Sequence, residues 1–458
     1  MKINDDIFRE YDVRGVVDRD LCPEFAYLLG RAYAIMARQN NRNNLAVGFD
    51  TRHSSPPYSQ AFAKGLSDEG VDSCITGMGP TPQLYYAIFK NNYGGGVQVT
   101  GSHNPPDMNG FKLCMGTAPL SGEEIQALKQ IVLDIQNKQP SAPGKGRISQ
   151  FDMRPVYTNE LIENSRAHMG GRKLKVVVDA GNGVGGLVGP QVLKALGVDV
   201  IELFCEPDGS FPNHHPDPTV LKYIEKLIKT VRETGADFGI GWDGDADRIG
   251  VVDEKGDVIF GDMLLLIYAR QILKEAPGST IIGDVKCSAR VFDDIKKRGG
   301  TPIMWKTGHS LIKKKVRDEN AAFGGEMSGH MVFNHRYYGF DDAIYSTSRF
   351  VEIASAMSGP VSQLLADLPS MVSTPEIRVD CPEQHKFKIA EQAKSAFPEY
   401  QVTSIDGARI AFENGWALIR ASNTQPILVM RFEADTPQHL EQYQRLVLER
   451  IEKIKQTL

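Results

Sequence analysis

Long apolar runs, an apolar start, paired cysteines and a strong net charge are all missing from this chain of 458 residues. No stretch approaches the roughly 18 apolar residues that cross a bilayer, and the polar start lacks a signal core, so we expect neither export nor membrane insertion. The six cysteines form no C-x-x-C pair, which indicates reduced structural thiols and no zinc site. We therefore expect a cytoplasmic protein.

The charge balance is nearly even, with 52 basic and 57 acidic residues and a net charge of −5. Such a chain has no overall attraction to nucleic acid or to an anionic membrane, so we expect neither partner, and any recognition of anions must be local. A composition of 41% hydrophobic and 24% charged residues is typical of globular proteins. The length exceeds what one core serves, which predicts three or four domains.

Strand-like runs alternate with amphipathic helical stretches through about the first 365 residues, which is the pattern of α/β layers. A β-α-β unit is predicted from the apolar run at 174–179, and another apolar strand is predicted at 236–242. The last ninety or so residues alternate strands and helices in an α+β pattern with antiparallel pairing. The sequence thus predicts several α/β domains followed by a smaller domain of different character.

Three carboxylates, Asp243, Asp245 and Asp247, lie within five residues after the predicted strand at 236–242. They repel one another unless a cation offsets them, and alternate positions of an extended loop point the same way. Oxygen ligands in this number suit Mg²⁺, although a solvated acidic turn is the simpler alternative. An EF-hand is rejected, because Arg248 stands where the calcium loop needs glycine and a strand-like run follows. Arg248 is better suited to binding a phosphate oxygen.

Ser102 lies in a turn bounded by glycine and proline, Thr100-Gly-Ser-His-Asn-Pro105. Although His103 adjoins the serine, the G-x-S-x-G elbow of hydrolases is absent. Taken alone, the segment is as consistent with an ordinary turn as with a reactive site. Lys112, ten residues further on, could supply a cation or a proton near a phosphate.

A glycine turn at 181–186 matches the dinucleotide fingerprint G-x-G-x-x-G, with Glu202 about twenty residues further on. The alternative is a tight β-α connection that allows close helix packing. No other element of a redox enzyme is visible, so we favour the structural interpretation.

Two further loops combine polar groups that suit a sugar phosphate. Glu326 and Ser328 could bind vicinal sugar hydroxyls, and His330 in the same glycine-flanked loop could act as an acid or base. The second loop follows an apolar strand and offers a guanidinium and neutral donors for a phosphate, although such residues are also common in turns. Its residues are Arg420, Ser422, Asn423 and Thr424.

Together these segments resemble the α-D-phosphohexomutase superfamily, and the resemblance covers the whole chain in order. It includes the N-terminal arginine loop at 8–15, the serine loop, the acidic loop, the Thr-Gly-His-Ser segment at 307–310, the sugar loop and the C-terminal phosphate loop. The Gly-Glu-Met-Ser-Gly-His segment, followed by Tyr-Gly-Phe-Asp-Asp, is most similar to the bacterial bifunctional phosphomannomutase/phosphoglucomutases. One departure is Gly101, where the family commonly has alanine; we expect the chemistry to survive, with a looser serine loop.

The resemblance implies four domains around a central cleft: three related α/β domains with mixed sheets and a C-terminal α+β domain of the TATA-binding-protein-like type. We predict a domain with the phosphoserine loop at 1–148 and one with the metal loop at 149–254. The domain with the sugar loop is predicted at 255–367, and the domain with the phosphate loop at 368–458.

The resemblance also implies the roles of individual residues. The catalytic set is Ser102, Arg248, Lys112, His330, Arg14 and His103. The set that binds substrate is Tyr11, Lys286, His309, Glu326, Ser328, Arg420, Ser422, Asn423 and Thr424. The ligands of Mg²⁺ are Ser102, Asp243, Asp245 and Asp247. Glucose 1,6-bisphosphate or mannose 1,6-bisphosphate is the expected activator and intermediate.

The function implied is reversible transfer of a phosphoryl group between C6 and C1 of mannose and glucose phosphates through phosphorylated Ser102. Hexose phosphates are the expected partners, and we expect a monomer or a weak dimer. Two rivals stay open: a phosphoglucosamine mutase on the same architecture, and a non-catalytic protein that binds sugar phosphates on a retired mutase scaffold.

Overall fold

A computed structural model of the chain describes residues 3–138, 144–422 and 426–456. The chain forms two compact units. Unit 1 consists of Met1–Leu264 and Ser328–Leu364, and unit 2 consists of Leu265–Met327 and Leu365–Leu458. Among the described helices, none combines the length and apolar character needed to cross a membrane.

Residues 3–138 and 144–150 form one α/β layer structure. Its elements are β1 (Val13–Val16), α1 (Pro23–Gln39), β2 (Asn44–Phe49), α2 (Ser55–Asp68), β3 (Asp72–Met78), α3 (Thr81–Lys90), β4 (Gly95–Val99), β5 (Met108–Met115), β6 (Ala118–Pro119), α4 (Glu123–Lys138) and β7 (Ile148–Gln150). The sheet has the order β1-β5-β4-β2-β3-β7, with β6 on β5. Strands β2, β3, β4 and β7 are parallel, whereas β5 runs antiparallel to β4 and β1. Because β2 and β4 are parallel neighbours, the loops that leave their carboxyl ends meet at one sheet edge.

A second mixed sheet follows in unit 1. Its elements are α5 (Arg154–Arg166), β8 (Lys175–Asp179), α6 (Gly189–Ala195), β9 (Asp199–Leu203), α7 (Glu225–Thr234), β10 (Phe238–Trp242), β11 (Ile249–Asp253) and β12 (Val258–Ile259). The order is β12-β11-β10-β8-β9, with β9, β8 and β10 parallel and β11 antiparallel to β10. All five residues of β10 are buried, as expected of a central strand. The acidic loop is therefore the connection between β10 and β11.

The next region contributes to both units. Its elements are α8 (Gly261–Glu275), β13 (Thr280–Asp284), α9 (Ala289–Lys297), β14 (Thr301–Trp305), α10 (His309–Asp318), β15 (Phe323–Gly325), β16 (Met331–Phe333), β17 (Phe340–Asp341) and α11 (Ala343–Ser355). In unit 2, β13 pairs in parallel with β14 and with β15. In unit 1, β16 and β17 form an antiparallel pair.

The C-terminal region of unit 2 has the predicted α+β character. Its elements are β18 (Val372–Ser373), β19 (Ile377–Asp380), α12 (Glu383–Ala393), β20 (Gln401–Thr403), β21 (Ala408–Phe412), β22 (Gly415–Ala421), β23 (Ile427–Ala434) and α13 (Pro437–Lys455). All its strand pairs are antiparallel, in the order β18-β23-β22-β21-β20 with β19 also on β23. Side chains of β21, β22 and β23 form one apolar core with residues of α12 and α13. The predicted antiparallel pairing is confirmed.

Candidate active site

Ser102 lies in the loop between β4 and β5, buried and with a backbone φ of 50°. This left-handed conformation is uncommon for a residue with a side chain. The Ser102 amide donates to Thr100 Oγ1 at 2.8 Å, and the Ser102 hydroxyl donates to Asp243 Oδ2 at 2.9 Å. The turn thus directs the serine oxygen at the first carboxylate of the acidic loop.

The three carboxylates of the acidic loop are fully buried and have oxygens within 4.8 Å of one another. Ala246, at φ 55°, turns the chain between the second and third of them. Asp243 Oδ1 accepts hydrogen bonds of 3.1 Å from the amides of Asp247 and Arg248, so the loop folds back on its first residue. The predicted convergence of Asp243, Asp245 and Asp247 is what the structure shows.

Lys112, on β5, is bonded to two of these carboxylates. Its Nζ lies 2.7 Å from Asp245 Oδ2 and 2.5 Å from Asp247 Oδ2, and Thr81 Oγ1 also donates to Asp245 Oδ2. Burial opposes the charge on Lys112, but the carboxylates of Asp245, Asp247 and Asp243 outweigh it and raise the pKa of the ammonium above its ordinary value. Lys112 is therefore held as a cation.

Two observations indicate that the acidic cluster suits a divalent cation. Burial, followed by the charges of Asp247 and Asp245, raises the pKa of Asp243 well above its ordinary value, as expected when three carboxylates share one buried place. In addition, Asp245 Oδ1 is buried and has no hydrogen-bond partner within the described part of the chain. Surplus negative charge and a buried carboxylate oxygen suit a hard oxygen-binding ion such as Mg²⁺.

His330 joins the acidic loop through Arg248. A backbone bridge pairs the two residues, and Arg248 Nε donates to His330 Nε2 at 3.0 Å. The other ring nitrogen, Nδ1, lies 2.9 Å from Asp341 Oδ2 and 3.6 Å from Asp247 Oδ1. Because Nε2 accepts from arginine, the proton of a neutral His330 belongs on Nδ1, facing the carboxylates.

Arg14 and His103 lie beside the serine loop. Arg14 Nη1 donates to Asn104 Oδ1 at 3.1 Å, and Arg14 Nη2 lies 2.6 Å from Asp12 Oδ2. His103 Nδ1 lies 3.2 Å from Ser102 Oγ. Burial, followed by the charges of Arg248 and Arg14, lowers the pKa of His103 well below its ordinary value. Tyr11 precedes β1 in the same region of the chain. The catalytic residues predicted from the sequence thus come together within unit 1.

Most of the predicted substrate-binding residues belong to unit 2. Glu326 Oε1 accepts from the Gly308 amide at 2.5 Å, immediately before His309 at the start of α10. Lys286 Nζ lies 3.5 Å from Glu376 Oε2. Arg420 Nε donates to Asp406 Oδ2 at 3.0 Å, and Ser422 follows β22. Asn423 and Thr424 lie outside the described residues, and Ser328 falls in unit 1.

Four domain models of the phosphoglucomutase/phosphomannomutase family match the chain in sequence order. The α/β/α domains I, II and III match residues 5–139, 155–256 and 260–372, and the C-terminal domain matches residues 376–450. The chain belongs to this family.

Relatives of the family align along nearly the full chain. A phosphomannomutase/phosphoglucomutase of Pseudomonas putida is 45% identical over 95% of this chain and 93% of its own length. A phosphoglucomutase of Neisseria meningitidis is 42% identical over 96% of this chain and 95% of its own length. The crystal structure of a Burkholderia thailandensis family protein superposes with a TM-score of 0.91 at 38% identity and covers 98% of both chains. The predicted superfamily and fold class are confirmed.

The glycine turn of the second family domain is a packing device. A Cβ on Gly183 would lie 2.7 Å from the Gly244 carbonyl oxygen, and a Cβ on Gly186 would lie 2.0 Å from that of Cys205. Backbone atoms of the protein therefore fill the space beside these glycines, which favours the structural interpretation over the dinucleotide site. The glycines let this turn approach the acidic loop and the end of β9 closely.

Several site residues escaped the sequence analysis. Asp50 and Arg52 follow β2 and contact the serine loop, Asp341 contacts His330, and Asp406 contacts Arg420. An acid and a base directly after a buried strand, in Asp50-Thr-Arg52, is a readable signal of a site at a sheet edge. Asp341 and Asp406 gave no comparable signal, because single carboxylates are common in turns.

Proposed function

We propose that this chain is a phosphohexomutase, an isomerase that reversibly moves a phosphoryl group between C6 and C1 of mannose and glucose phosphates. The carrier is phosphorylated Ser102, and the intermediate is a hexose 1,6-bisphosphate. The observation that carries the proposal is the 2.9 Å hydrogen bond from Ser102 Oγ to Asp243 Oδ2, which sets a hydroxyl on a buried acidic cluster. The names of the Pseudomonas and Neisseria relatives support the same activity.

The first transfer breaks the bond between phosphorus and Ser102 Oγ and forms a bond from phosphorus to a free hydroxyl of the hexose phosphate. That hydroxyl gives up its proton, and the serine oxygen accepts one. Lys112 and His330 are our candidates for moving these protons, and His103 Nδ1, 3.2 Å from Ser102 Oγ, helps to orient the serine. Arg248 and Arg14 would bind the phosphoryl oxygens.

Positioning and charge neutralisation matter most for such a transfer, because its transition state is loose. A magnesium ion held by Ser102, Asp243, Asp245 and Asp247 would supply part of this neutralisation. The hydrogen bonds from the amides of Asp247 and Arg248 to Asp243 Oδ1 support this arrangement, because they fix the shape of the acidic loop.

After the first transfer the bisphosphate turns end for end. Its other phosphoryl group then passes to Ser102 Oγ, which regenerates the phosphoserine and releases the isomeric hexose monophosphate. The non-reacting phosphate would be held by Arg420, Ser422, Asn423 and Thr424, with help from Lys286 and His309. Glu326 and Ser328 would bind sugar hydroxyls, and Tyr11 would line the substrate side. Because glucose and mannose differ only at C2, binding through O3 and O4 tolerates both sugars.

We propose domain bounds at 1–148, 149–254, 255–367 and 368–458, and the four family matches support this division. We also propose that the protein works in the cytoplasm as a monomer or weak dimer, without nucleic acid or membrane partners. The small net charge of −5 supports the absence of such partners.

The test is intact-mass analysis before and after incubation with glucose 1,6-bisphosphate and Mg²⁺, followed by peptide mapping. We expect one added phosphate on Ser102, passed on to glucose 1-phosphate or mannose 1-phosphate, and no addition to Ser102→Ala. An unmodified Ser102 would refute the proposal and return attention to a sugar-phosphate-binding protein. Faster turnover of glucosamine 6-phosphate than of either hexose phosphate would favour the phosphoglucosamine mutase.

A further inference from the structure

The buried side chain of Arg52 binds the backbone of the serine loop. It follows β2, and its side chain is only 1% exposed. Its guanidinium donates to four carbonyl oxygens of one loop: from Nη2 to Ser102 (2.9 Å) and Asn104 (2.6 Å), and from Nη1 to Met108 (2.8 Å) and Pro105 (2.5 Å). Arginine is the side chain whose rigid fork can satisfy several acceptors in this way.

Asp50 completes the attachment by accepting the donors of the same loop. Its Oδ2 accepts from the Gly101 amide at 3.2 Å and from Thr100 Oγ1 at 2.8 Å, and Thr100 Oγ1 in turn accepts from the Ser102 amide. Arg52 Nε lies 3.3 Å from Asp50 Oδ2. One buried ion pair therefore holds both the amides and the carbonyls around Ser102.

This attachment explains how the loop keeps a strained residue. Ser102 has a φ of 50°, a conformation that costs a non-glycine residue free energy and persists where surrounding contacts over-determine it. The Arg52 and Asp50 bonds lie on both sides of Ser102 along the chain. They fix the direction in which Oγ points, toward Asp243.

Arg52 is itself held from two sides. A Cβ on Gly101 would lie 2.4 Å from Arg52 Nε, so the guanidinium packs directly on the backbone of Gly101. On the other side, the Arg52 guanidinium lies 5.0 Å from the ring centroid of Phe211, and a Cβ on Gly209 would lie 2.7 Å from Arg52 Cα. The Arg52 guanidinium therefore occupies the space that a side chain at position 101 would need. The looser serine loop expected from Gly101 stays a prediction.

We propose that Arg52 is a positioning residue for phosphoryl transfer: its guanidinium fixes the serine loop so that Ser102 Oγ stays on the acidic cluster. Arg52 itself touches neither substrate nor the reacting phosphate. The inference rests on the proposed function, because it assigns Arg52 a part in the transfer through Ser102.

The experiment compares the wild-type chain with Arg52→Lys in a single-turnover assay of phosphate transfer from glucose 1,6-bisphosphate to Ser102. A lysine keeps the charge but cannot serve four carbonyls, so the serine oxygen shifts. Because misplacing a reacting group by about 1 Å costs on the order of 100-fold in rate, we expect the transfer rate constant to fall by about that factor. The bisphosphate concentration that gives half the maximal rate should change little.

Arg31→Lys is the matched control, since Arg31 is also buried but binds Glu69 within the same domain. It should lower the melting temperature without changing the transfer rate. If Arg52→Lys does not fold, the double variant Asp50→Asn/Arg52→Met removes both buried charges together, which proteins tolerate better than one unpaired charge. We expect the same loss of transfer from the folded double variant.

The outcomes distinguish a failure of the role of Arg52 from a failure of the proposed function. If the wild type is phosphorylated, and Arg52→Lys or the folded double variant is phosphorylated at the same rate, only the role of Arg52 is overturned. An equal loss in Arg31→Lys would also overturn it, because the effect would then reflect general destabilisation. A wild type that takes up no phosphate would overturn the proposed function, and the role of Arg52 with it.

Discussion

Replacing Lys112 by methionine would remove the ammonium that balances the acidic loop. Nζ is 2.7 Å from Asp245 Oδ2 and 2.5 Å from Asp247 Oδ2, and the side chains of both aspartates are fully buried. Removing one partner of a buried ion pair costs about 3–5 kcal/mol, because the remaining charges stay buried without compensation. Lys112→Met should therefore destabilise the metal-free protein by about this amount.

The assay is thermal unfolding in the presence of a chelator and again with added Mg²⁺. A loss of about 3–5 kcal/mol corresponds to roughly 6–20 °C for a domain of about 150 residues. Because the ammonium and a divalent cation would share the same carboxylates, added Mg²⁺ should raise the melting temperature of Lys112→Met more than that of the wild type.

Lys64→Met serves as the control. Lys64 forms an ion pair with Asp68 one helical turn away, but its side chain is 56% exposed. Removing such a pair costs less than about 1 kcal/mol. If Lys112→Met in chelator were no less stable than Lys64→Met, the charge balance inferred for the acidic loop would be wrong. An equal response of both variants to Mg²⁺ would refute the shared carboxylates.

Three other substitutions test the contact of His330, the phosphate loop and a partly buried histidine outside the candidate site. Asp341→Asn should lower kcat about 10–100-fold with little change in KM, because His330 would lose the carboxylate that lies 2.9 Å from its Nδ1. Steady-state kinetics measures both constants, and an unchanged kcat would contradict the prediction. Arg420→Ala should raise KM for glucose 1-phosphate about 10–100-fold through the loss of charged hydrogen bonds, and an unaltered KM would exclude a phosphate contact. His214 lies 3.0 Å from Asp179 through Nε2 and 2.8 Å from the His215 carbonyl through Nδ1, so both nitrogens must donate. Burial lowers its pKa, but the Asp179 contact outweighs this and raises the pKa overall. The His214 contribution to stability is thus complete below about pH 6.5 and lost as pH rises through the raised pKa. The melting temperature should therefore fall more steeply with rising pH for the wild type than for His214→Gln. An equal pH dependence in both proteins would contradict this prediction.

Much of the site could be predicted because its main residues follow strands in short contiguous loops. Asp243, Asp245 and Asp247 directly follow β10, and Ser102 comes three residues after β4 ends. In these loops the spacing of the residues and the turn chemistry are local properties, so the sequence pattern carries them. The antiparallel character of the last ninety or so residues was readable for the same reason, since short strands separated by turn residues predict it.

Other contacts depend on residues that are far apart in the sequence. Lys112 bonds to Asp245 and Asp247 across separations of 133 and 135 residues, and the Arg52 side chain donates to carbonyls that are 50 to 56 residues away. No periodicity or spacing in a single sequence reports such pairs, because they arise when sheet edges meet. Asp406 and Arg420 are only 14 residues apart, and the antiparallel pairing of β21 with β22 brings them together.

The sequence by itself determined the domain types, the acidic loop and the family, because each of these depends on local patterns of residues. Only the tertiary structure decided how the serine is held. Arg52 and Asp50 bond to the backbone of the serine loop, and Asp243 accepts a hydrogen bond from the Ser102 hydroxyl. It also decided that Lys112 balances the acidic loop and that Arg248 donates a hydrogen bond to His330. The physical reason is that burial and charge compensation are properties of the folded chain, whereas turn and strand preferences belong to short segments.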